Sequence, residues 1–198
     1  MTALIPPSKL KMHHFAGRSN AGFTLIEAMM VIAIISIAFS TIYSTFNNFS
    51  RSCTAENVKA GIQQNARVGI EFMVSDIRLA GLDPLGTADA KIEGIGTNWI
   101  RFTSDANFDG DVDDPLEDLT YNWDSASKQL EQTNHIGKAP ILDNVTNLRF
   151  TYLDEDDNTT SAPNEVKSIF ISLTVQRPAG PNRQVERTYA TQVRCRNL

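Results

Sequence analysis

Oxygen-bearing side chains alternate along one short acidic stretch near the middle of the chain. They occupy every second position from 105 to 113, namely Asp105, Asn107, Asp109, Asp111 and Asp113, and Gly110 stands sixth in the run. Carboxylates at this spacing, with a glycine that permits a sharp turn, are typical of the front half of a calcium-binding loop. The stretch therefore predicts a site for Ca²⁺.

The back half of the same stretch departs from that pattern. The bidentate glutamate expected at the twelfth position would fall on Leu116, and Glu117 comes one residue late. Glu117 or Asp114 must then supply the last ligand. The flanking segments have the pattern of strands and not of helices. An acidic hairpin loop, in which Asn, Asp and Gly serve only the turn geometry, is the alternative interpretation.

Enzymatic chemistry finds little support in the sequence. His135 is the only histidine after position 14, and its surroundings, Thr-Asn-His-Ile-Gly, predict a turn after a strand. A Ser-His-Asp or Cys-His arrangement would have to use this residue. No glycine-rich loop opens a helix for nucleotide binding, and His and Cys are too few for a recognisable zinc site. We therefore expect no catalytic residues and no required cofactor.

One carboxylate, that of Glu27, stands at the start of a long uncharged segment. Residues 28–50 contain no Asp, Glu, Lys or Arg, and about 20 apolar residues suffice to cross a bilayer as a helix. A carboxylate in hydrocarbon costs roughly 2.5–3.5 kcal/mol, so Glu27 needs a partner. A cut between Gly22 and Phe23 would create one, because the helix dipole disfavours a new amine at the helix start unless a carboxylate offsets it.

An amphipathic pattern continues the uncharged segment. Apolar residues recur every three or four positions on one helix face, at Val58, Ile62, Ala66, Ile70, Met73 and Ile77. Gly81, followed by Asp83 and Pro84, ends this pattern. We predict a single helix from Phe23 to about Leu79, uniformly apolar in its first half and one-sided in its second.

Short alternating runs, separated by Gly, Asn and Asp, follow Pro84. The predicted strands are 99–103, 119–123, 129–133, 148–153, 166–175 and 187–193. Strands with one apolar face need a cover, and the one-sided half of the helix is the only long candidate. The predicted fold class is α+β, a long N-terminal helix packed on an antiparallel β-sheet head.

The residues Gly22-Phe23-Thr24-Leu25-Ile26-Glu27, placed before the apolar span, resemble the prepilin signature of type IV pilins and type II secretion pseudopilins. The resemblance implies the lollipop fold of a pilin, with a cleaved leader (1–22), a transmembrane half-helix (23–50), an amphipathic periplasmic half-helix (51–80) and a β-rich head (84–198). It also implies that prepilin peptidase cuts between Gly22 and Phe23 and methylates Phe23. Phe23 and Glu27 match the residues that register one subunit against the next.

The later part of the chain is similar to minor pilins of the PilW type. This likeness covers the segment 139–145 with Leu148, Phe150 and Tyr152, the run 169–175 and the closing segment 193–197. The resemblance therefore implies a minor pilin of a type IV pilus. A minor pseudopilin of the GspJ kind, from a type II secretion system, is the alternative. An uncleaved, membrane-anchored calcium-binding adhesin or sensor is a second alternative, from another class.

The resemblance also implies the partners, which are other pilins or pseudopilins, prepilin peptidase, an inner-membrane assembly platform and inner-membrane lipid. Basic residues before the span (Lys9, Lys11, Arg18) favour a cytoplasmic N-terminus and a periplasmic head, which then passes into a filament. Loss of the leader lowers Lys plus Arg from 18 to 15 and leaves Asp plus Glu at 23, a balance of −8. Such an acidic exterior argues against nucleic acid as a partner.

The chain has two cysteines, Cys53 and Cys195, which are candidates for a disulfide. Cys53 lies 30 residues beyond Phe23, about 45 Å along a helix and past a hydrocarbon core of about 30 Å. Both cysteines would then face the periplasm, where disulfides form. The prediction is a Cys53–Cys195 disulfide, and two separate buried thiols are the alternative.

Overall fold

The computed structural model describes residues 22–180 and 183–198, so the predicted leader, apart from Gly22, lies outside the described residues. Helix α1 (Leu25–Ile77) precedes eight strands and a short 3₁₀ helix (Pro163–Glu165). The strands are β1 (Ile92–Ile95), β2 (Trp99–Thr103), β3 (Asp118–Asp124), β4 (Gln129–Asn134), β5 (Gly137–Asp143), β6 (Val145–Leu153), β7 (Ser168–Pro178) and β8 (Gln184–Arg194). The predicted α+β class is confirmed.

The chain divides into two compact units, the first ending at Asn47 and the second running from Asn48 to Leu198. The first unit holds the apolar half of α1, and large apolar side chains such as Met30, Ile34 and Phe39 are exposed there. Helix α1 is long and apolar enough to cross a membrane, with a mean hydropathy of 2.3 over its most apolar window. Lipid is a suitable surrounding for such a surface, since transfer of apolar groups out of water is favourable.

The second unit contains the one-sided half of α1. Its buried residues are Ala55, Ile62, Ala66, Gly69, Ile70, Met73 and Ile77, which confirms the predicted apolar face except that Val58 is only partly buried. These side chains join strand residues such as Phe102, Leu148 and Ile171 in one continuous core. The second unit is therefore formed by the apolar stripe of α1 packed against the apolar faces of the strands.

Two antiparallel sheets make up the β-structure, where the sequence suggested one. The first has the order β1-β2-β3-β4-β5 and the second the order β6-β7-β8. All six predicted strands are present, with ends that differ by a few residues. Strands β7 and β8 pair over their full lengths, from Ser168 opposite Arg194 to Pro178 opposite Gln184.

The two strands that the sequence pattern did not reveal, β1 and β5, are the edge strands of the first sheet. Strand β1 has four residues, with a register shift between Ile92 and Gly94. Strand β5 contains Pro140, opposite Glu131 and next to a second shift. Proline cannot donate to a sheet ladder and is tolerated at an edge, so these segments carry a weak strand signal.

Gly81 ends the helical region, as predicted. Its φ of +77° is a left-handed conformation that glycine adopts at little cost. A Cβ at this position would lie 2.4 Å from Leu198 Cδ2, so the close approach of the C-terminal residues also requires glycine. The side-chain amide of Asn197 donates to the Arg78 carbonyl at 3.2 Å. The end of the chain therefore lies against the end of α1.

Candidate functional site

The first turn of α1 carries the candidate processing and registration residues. Gly22 and Phe23 precede the helix in an exposed segment without regular secondary structure, and the Phe23 side chain is 80% exposed. Such a segment is accessible to another protein. Glu27 is exposed in the first turn of the helix, where a carboxylate interacts favourably with the helix dipole.

Thr24 caps this helix, a role that the sequence interpretation missed. The Glu27 backbone N–H donates to Thr24 Oγ1 at 3.3 Å, which satisfies one of the free donors of the first turn. The signal was present in the sequence, because Thr followed three positions later by Glu is the pattern of a capping box. The residues between the predicted cut and Glu27 therefore also define where the helix begins.

The acidic loop connects β2 to β3, and its flanks are strands, as predicted. Of the six predicted ligands, Asp109, Asp111 and Glu117 bring one carboxylate oxygen each within 4.8 Å of one another. Asp109 and Asp111 are exposed, whereas Glu117 is 2% exposed. Three converging carboxylates suit a hard cation such as Ca²⁺. Glu117, displaced by one residue from the usual spacing, reaches the cluster because of the fold of the loop.

The other predicted ligands hold the loop together. Asp105 is fully buried, and its carboxylate accepts from the N–H groups of Phe108 (2.6 Å) and Gly110 (3.2 Å). The Asn107 side-chain amide donates to Asp109 Oδ2 at 2.9 Å. Asp113 is exposed, and its N–H donates to Asp111 Oδ1. These hydrogen bonds within the loop hold the turn together.

Glu117 closes the loop from its other end. Its Oε1 accepts from the N–H groups of Ala106 (2.9 Å) and Asn107 (3.2 Å), and its Oε2 accepts from the Asp114 N–H (3.3 Å). Buried carboxylates need such donors, because an unpaired buried charge is costly. Glu117 is thus both a structural anchor of the loop and a member of the carboxylate cluster.

The predicted Cys53–Cys195 disulfide is contradicted by the structure, in which both thiols are free, Cys53 exposed and Cys195 buried. Asn197 contacts Arg78, so Cys195 lies near the C-terminal end of α1. Cys53 is 24 residues before Ile77, about 36 Å along the helix. A disulfide needs Cα atoms within about 7 Å, which excludes this pairing within one chain. Burial raises the pKa of the Cys195 thiol to about 11, so little of it is the nucleophilic thiolate near neutral pH.

His135 lies in the turn between β4 and β5, as predicted from its sequence surroundings. Its Nε2 is 3.9 Å from Asp118 Oδ2, and Asp118 is already bound in a two-point ion pair by Arg101, with N–O distances of 2.9 and 2.6 Å. The 3.9 Å separation is longer than a hydrogen bond, so Asp118 does not orient the His135 ring. Arg101 and Asp118 form an ion pair, and His135 lies beside it.

A polar cluster under the helix was not anticipated. The Tyr121 hydroxyl donates to Asp76 Oδ2 at 2.6 Å, and the Gln132 side-chain amide donates to the same oxygen at 3.0 Å. Burial raises the pKa of Asp76 despite these two donors, and burial together with the neighbouring carboxylate raises that of Tyr121. The cluster joins α1 to β3 and β4. Sequence alone does not indicate which polar residues of distant elements will meet.

A capped, exposed apolar helix that begins within the segment Gly-Phe-Thr-Leu-Ile-Glu, followed by a β-rich unit, defines a prepilin-type subunit. Comparison with known proteins agrees. Residues 17–43 match the family described as the prokaryotic N-terminal methylation motif. Two proteins of Dichelobacter nodosus described as type IV major fimbrial protein FimA are 28% and 30% identical to the chain. Each alignment covers 74% of the chain, with 94% and 95% of the respective relative.

A third relative, a fimbrial protein of the same organism, is 26% identical over 153 residues. The matches extend well beyond the N-terminal motif into the β-rich unit. The chain belongs to the type IV pilin family. Its apolar N-terminal helix and this membership fit a protein that is anchored in a membrane and then associates with a pilus.

Proposed function

We propose that the chain is cleaved between Gly22 and Phe23 by a prepilin peptidase and joins a type IV pilus through α1 as a structural, non-enzymatic subunit. The observation that carries this proposal is the exposed Gly22–Phe23 segment directly before a helix whose next residues are also exposed and apolar. Basic residues before the span favour a periplasmic head, reached from the inner membrane.

Within this proposal, Glu27 neutralises the new Phe23 amine of the same subunit or of a neighbour. The free amine would lie at the positive end of the helix dipole, and the carboxylate would lie in hydrocarbon, so each alone is unfavourable. Pairing between neighbours would set the axial register of the filament. Partners are then other pilins, the assembly platform and membrane lipid.

N-terminal sequencing and intact mass of the membrane-extracted protein test the cleavage. We expect a mature chain that begins at methylated Phe23. A mature chain that begins at or before residue 21 would refute the proposal and support the uncleaved, anchored adhesin or sensor. The variant Gly22→Val should accumulate in the uncleaved form, whereas Gly61→Val, at a helix position where an added Cβ meets no atom within 4 Å, should be processed normally.

The minor-pilin assignment rests on the PilW-like C-terminal segments, whereas the relatives from Dichelobacter nodosus are described as major fimbrial proteins. Quantitative mass spectrometry of sheared filaments separates the two roles. A minor pilin is present at a few copies per filament, and a major pilin makes up most of the mass. Recovery only with a type II secretion apparatus would instead identify a pseudopilin.

Calcium binding in the 105–117 loop is a second proposed property of the same subunit. The convergence of Asp109, Asp111 and Glu117 supports it. The ion would be held by these three carboxylates and would draw together two exposed groups that otherwise repel. If the loop is only an acidic turn, calcium should not change the stability of the protein. A titration of stability with calcium therefore distinguishes the calcium site from the acidic turn.

A further inference from the structure

An aromatic side chain stands exposed at the tip of the acidic loop. Phe108 is 57% exposed and has a φ of +66°, a left-handed conformation that is unfavourable for a non-glycine residue. Its N–H is held by the buried Asp105 carboxylate at 2.6 Å. The fold thus stabilises an unfavourable backbone conformation that places an apolar ring in solvent, and such outliers are common at functional positions.

A groove lined by both apolar and polar side chains lies elsewhere on the same unit, between α1 and β8. Its cavity has a volume of about 730 Å³ and is lined by Ile70, Val74 and Leu79 of the helix region and by Tyr189 of β8. Cavities of roughly 300–1,000 Å³ are the usual size of ligand pockets. The groove is therefore large enough for a phenylalanine side chain and part of its loop.

The charges around these two features are complementary. Arg67 and Arg78 flank the groove. Arg67 pairs with Glu71 at 2.7 Å, whereas Arg78 makes no ion pair within 22–180 and 183–198. Within the loop 105–117, which carries Phe108, the exposed charged residues are all acidic, namely Asp109, Asp111, Asp113 and Asp114. Opposite charges around two apolar surfaces favour their association and disfavour wrong partners.

We propose that the groove between α1 and β8 receives the Phe108 tip of the acidic loop from a second copy of this chain. This inference rests on the proposed pilin function, and it identifies the neighbouring subunit as a second copy of the same chain. Tip and groove are different surfaces, so each copy donates one contact and accepts another. Between copies whose helices are parallel and shifted, this contact is heterologous, and unless it closes a ring it continues as an open filament. Copies joined by this contact would therefore follow one another in the filament, over a few subunits or along its whole length.

The positions of tip and groove along the helix fit parallel subunits. The Asp105 N–H donates to the Leu82 carbonyl at 2.7 Å, which places the base of the loop at the end of the helical region. The groove extends from Gln63 to Leu79, and its middle is about 11 residues, or about 16 Å, before Leu82 along the helix axis. Two copies with parallel helices, shifted by this amount, would bring one loop level with the other's groove.

Cysteine cross-linking of the full chain in membranes tests the contact. In a Cys53→Ser background, Phe108→Cys is combined with Ser75→Cys, because Ser75 lines the groove. Oxidation should give a ladder of dimers, trimers and higher species. The matched control combines Ser75→Cys with Ile136→Cys, a 79% exposed position on another turn. Absence of a ladder, or an equal ladder in the control, would overturn the proposal.

Charge exchange gives an independent readout. Arg78→Asp should lower cross-linking at least severalfold, because it places an acidic side chain opposite the acidic loop. Addition of Asp109→Arg in the same chain should restore cross-linking, because the charges at positions 78 and 109 are then exchanged in every copy. No loss in Arg78→Asp, or no recovery in the double variant, counts against the contact. The N-terminus of each sample is sequenced as well. A cleaved chain without cross-linking rejects only this contact, and cross-linking of an uncleaved chain rejects only the proposed processing.

Discussion

Met30 and Met73 lie on the same helix, but solvent reaches 62% of the first side chain and none of the second. Met30 belongs to the first compact unit, where the apolar side chains are exposed on every face. Met73 belongs to the second, where one apolar stripe is buried against strands of the same chain. Burial of an apolar side chain contributes about 1.5–3 kcal/mol, so the second half stabilises the fold. The first half can gain this free energy only from lipid or from other subunits.

The largest expected effect comes from matched Met→Ala changes in the two halves of α1. Met73→Ala should lower the free energy of unfolding by about 2–5 kcal/mol, because it removes a buried side chain and leaves a cavity. The matched change Met30→Ala should alter it by no more than about 0.5 kcal/mol. Denaturant unfolding of the full chain in detergent, followed by the fluorescence of Trp99 and Trp123, measures both. Equal effects would show that the two halves do not differ as the burial suggests.

Glu27→Ala tests what the exposed half does in a filament. Cleavage should continue, while the amount of the subunit in sheared filaments should fall at least about tenfold, which needs a lost pairing of only about 1.4 kcal/mol. Glu56→Ala is the control, since Glu56 is a glutamate in the second half that pairs with Lys59 on the surface. Normal incorporation of Glu27→Ala would show that this carboxylate does not set the register.

Calcium should stabilise only the second unit. At ten times the dissociation constant, binding adds about 1.4 kcal/mol, or about 3–6 °C in melting temperature for a chain of this size. The rise should disappear in Asp109→Asn with Asp111→Asn and should persist in Asp156→Asn with Asp157→Asn, two exposed acids on another turn. Melting at the same temperature in calcium and in chelator would leave the loop as an acidic turn.

The smallest effect concerns Asp76. Burial raises its pKa above the ordinary 3.8, so the folded state holds this proton more tightly than the unfolded state. The stabilising contribution is therefore present below about pH 3.8 and is lost as the pH rises through the raised pKa. Asp76→Asn keeps an acceptor for Tyr121 and removes this titration.

We expect Asp76→Asn to flatten the pH dependence of the unfolding free energy above about pH 3.8 and to change stability at pH 7 by less than about 1 kcal/mol. Unfolding curves over this pH range measure the effect. Glu71→Gln, an exposed acid on the same helix, should leave the slope unchanged. An unchanged slope in Asp76→Asn would show that the cluster does not titrate there.

The sequence by itself determined the long helix, its change from an apolar to a one-sided pattern, and six of the eight strands. These features depend on local periodicity, since a helix face repeats every 3.6 residues and a strand face every two. The candidate processing and registration residues were also readable, because they form one contiguous segment. Strands β1 and β5 escaped because one is short and the other contains Pro140, and edge strands tolerate both.

Only the tertiary structure decided which distant residues meet. It brought Glu117 to Asp109 and Asp111 although the spacing was irregular, and it joined Asp76 to Tyr121 and Gln132. It also separated Cys53 from Cys195, because the length of a rigid helix stands between the two positions. Sheet order and helix rigidity set such distances, and neither is encoded in a local pattern.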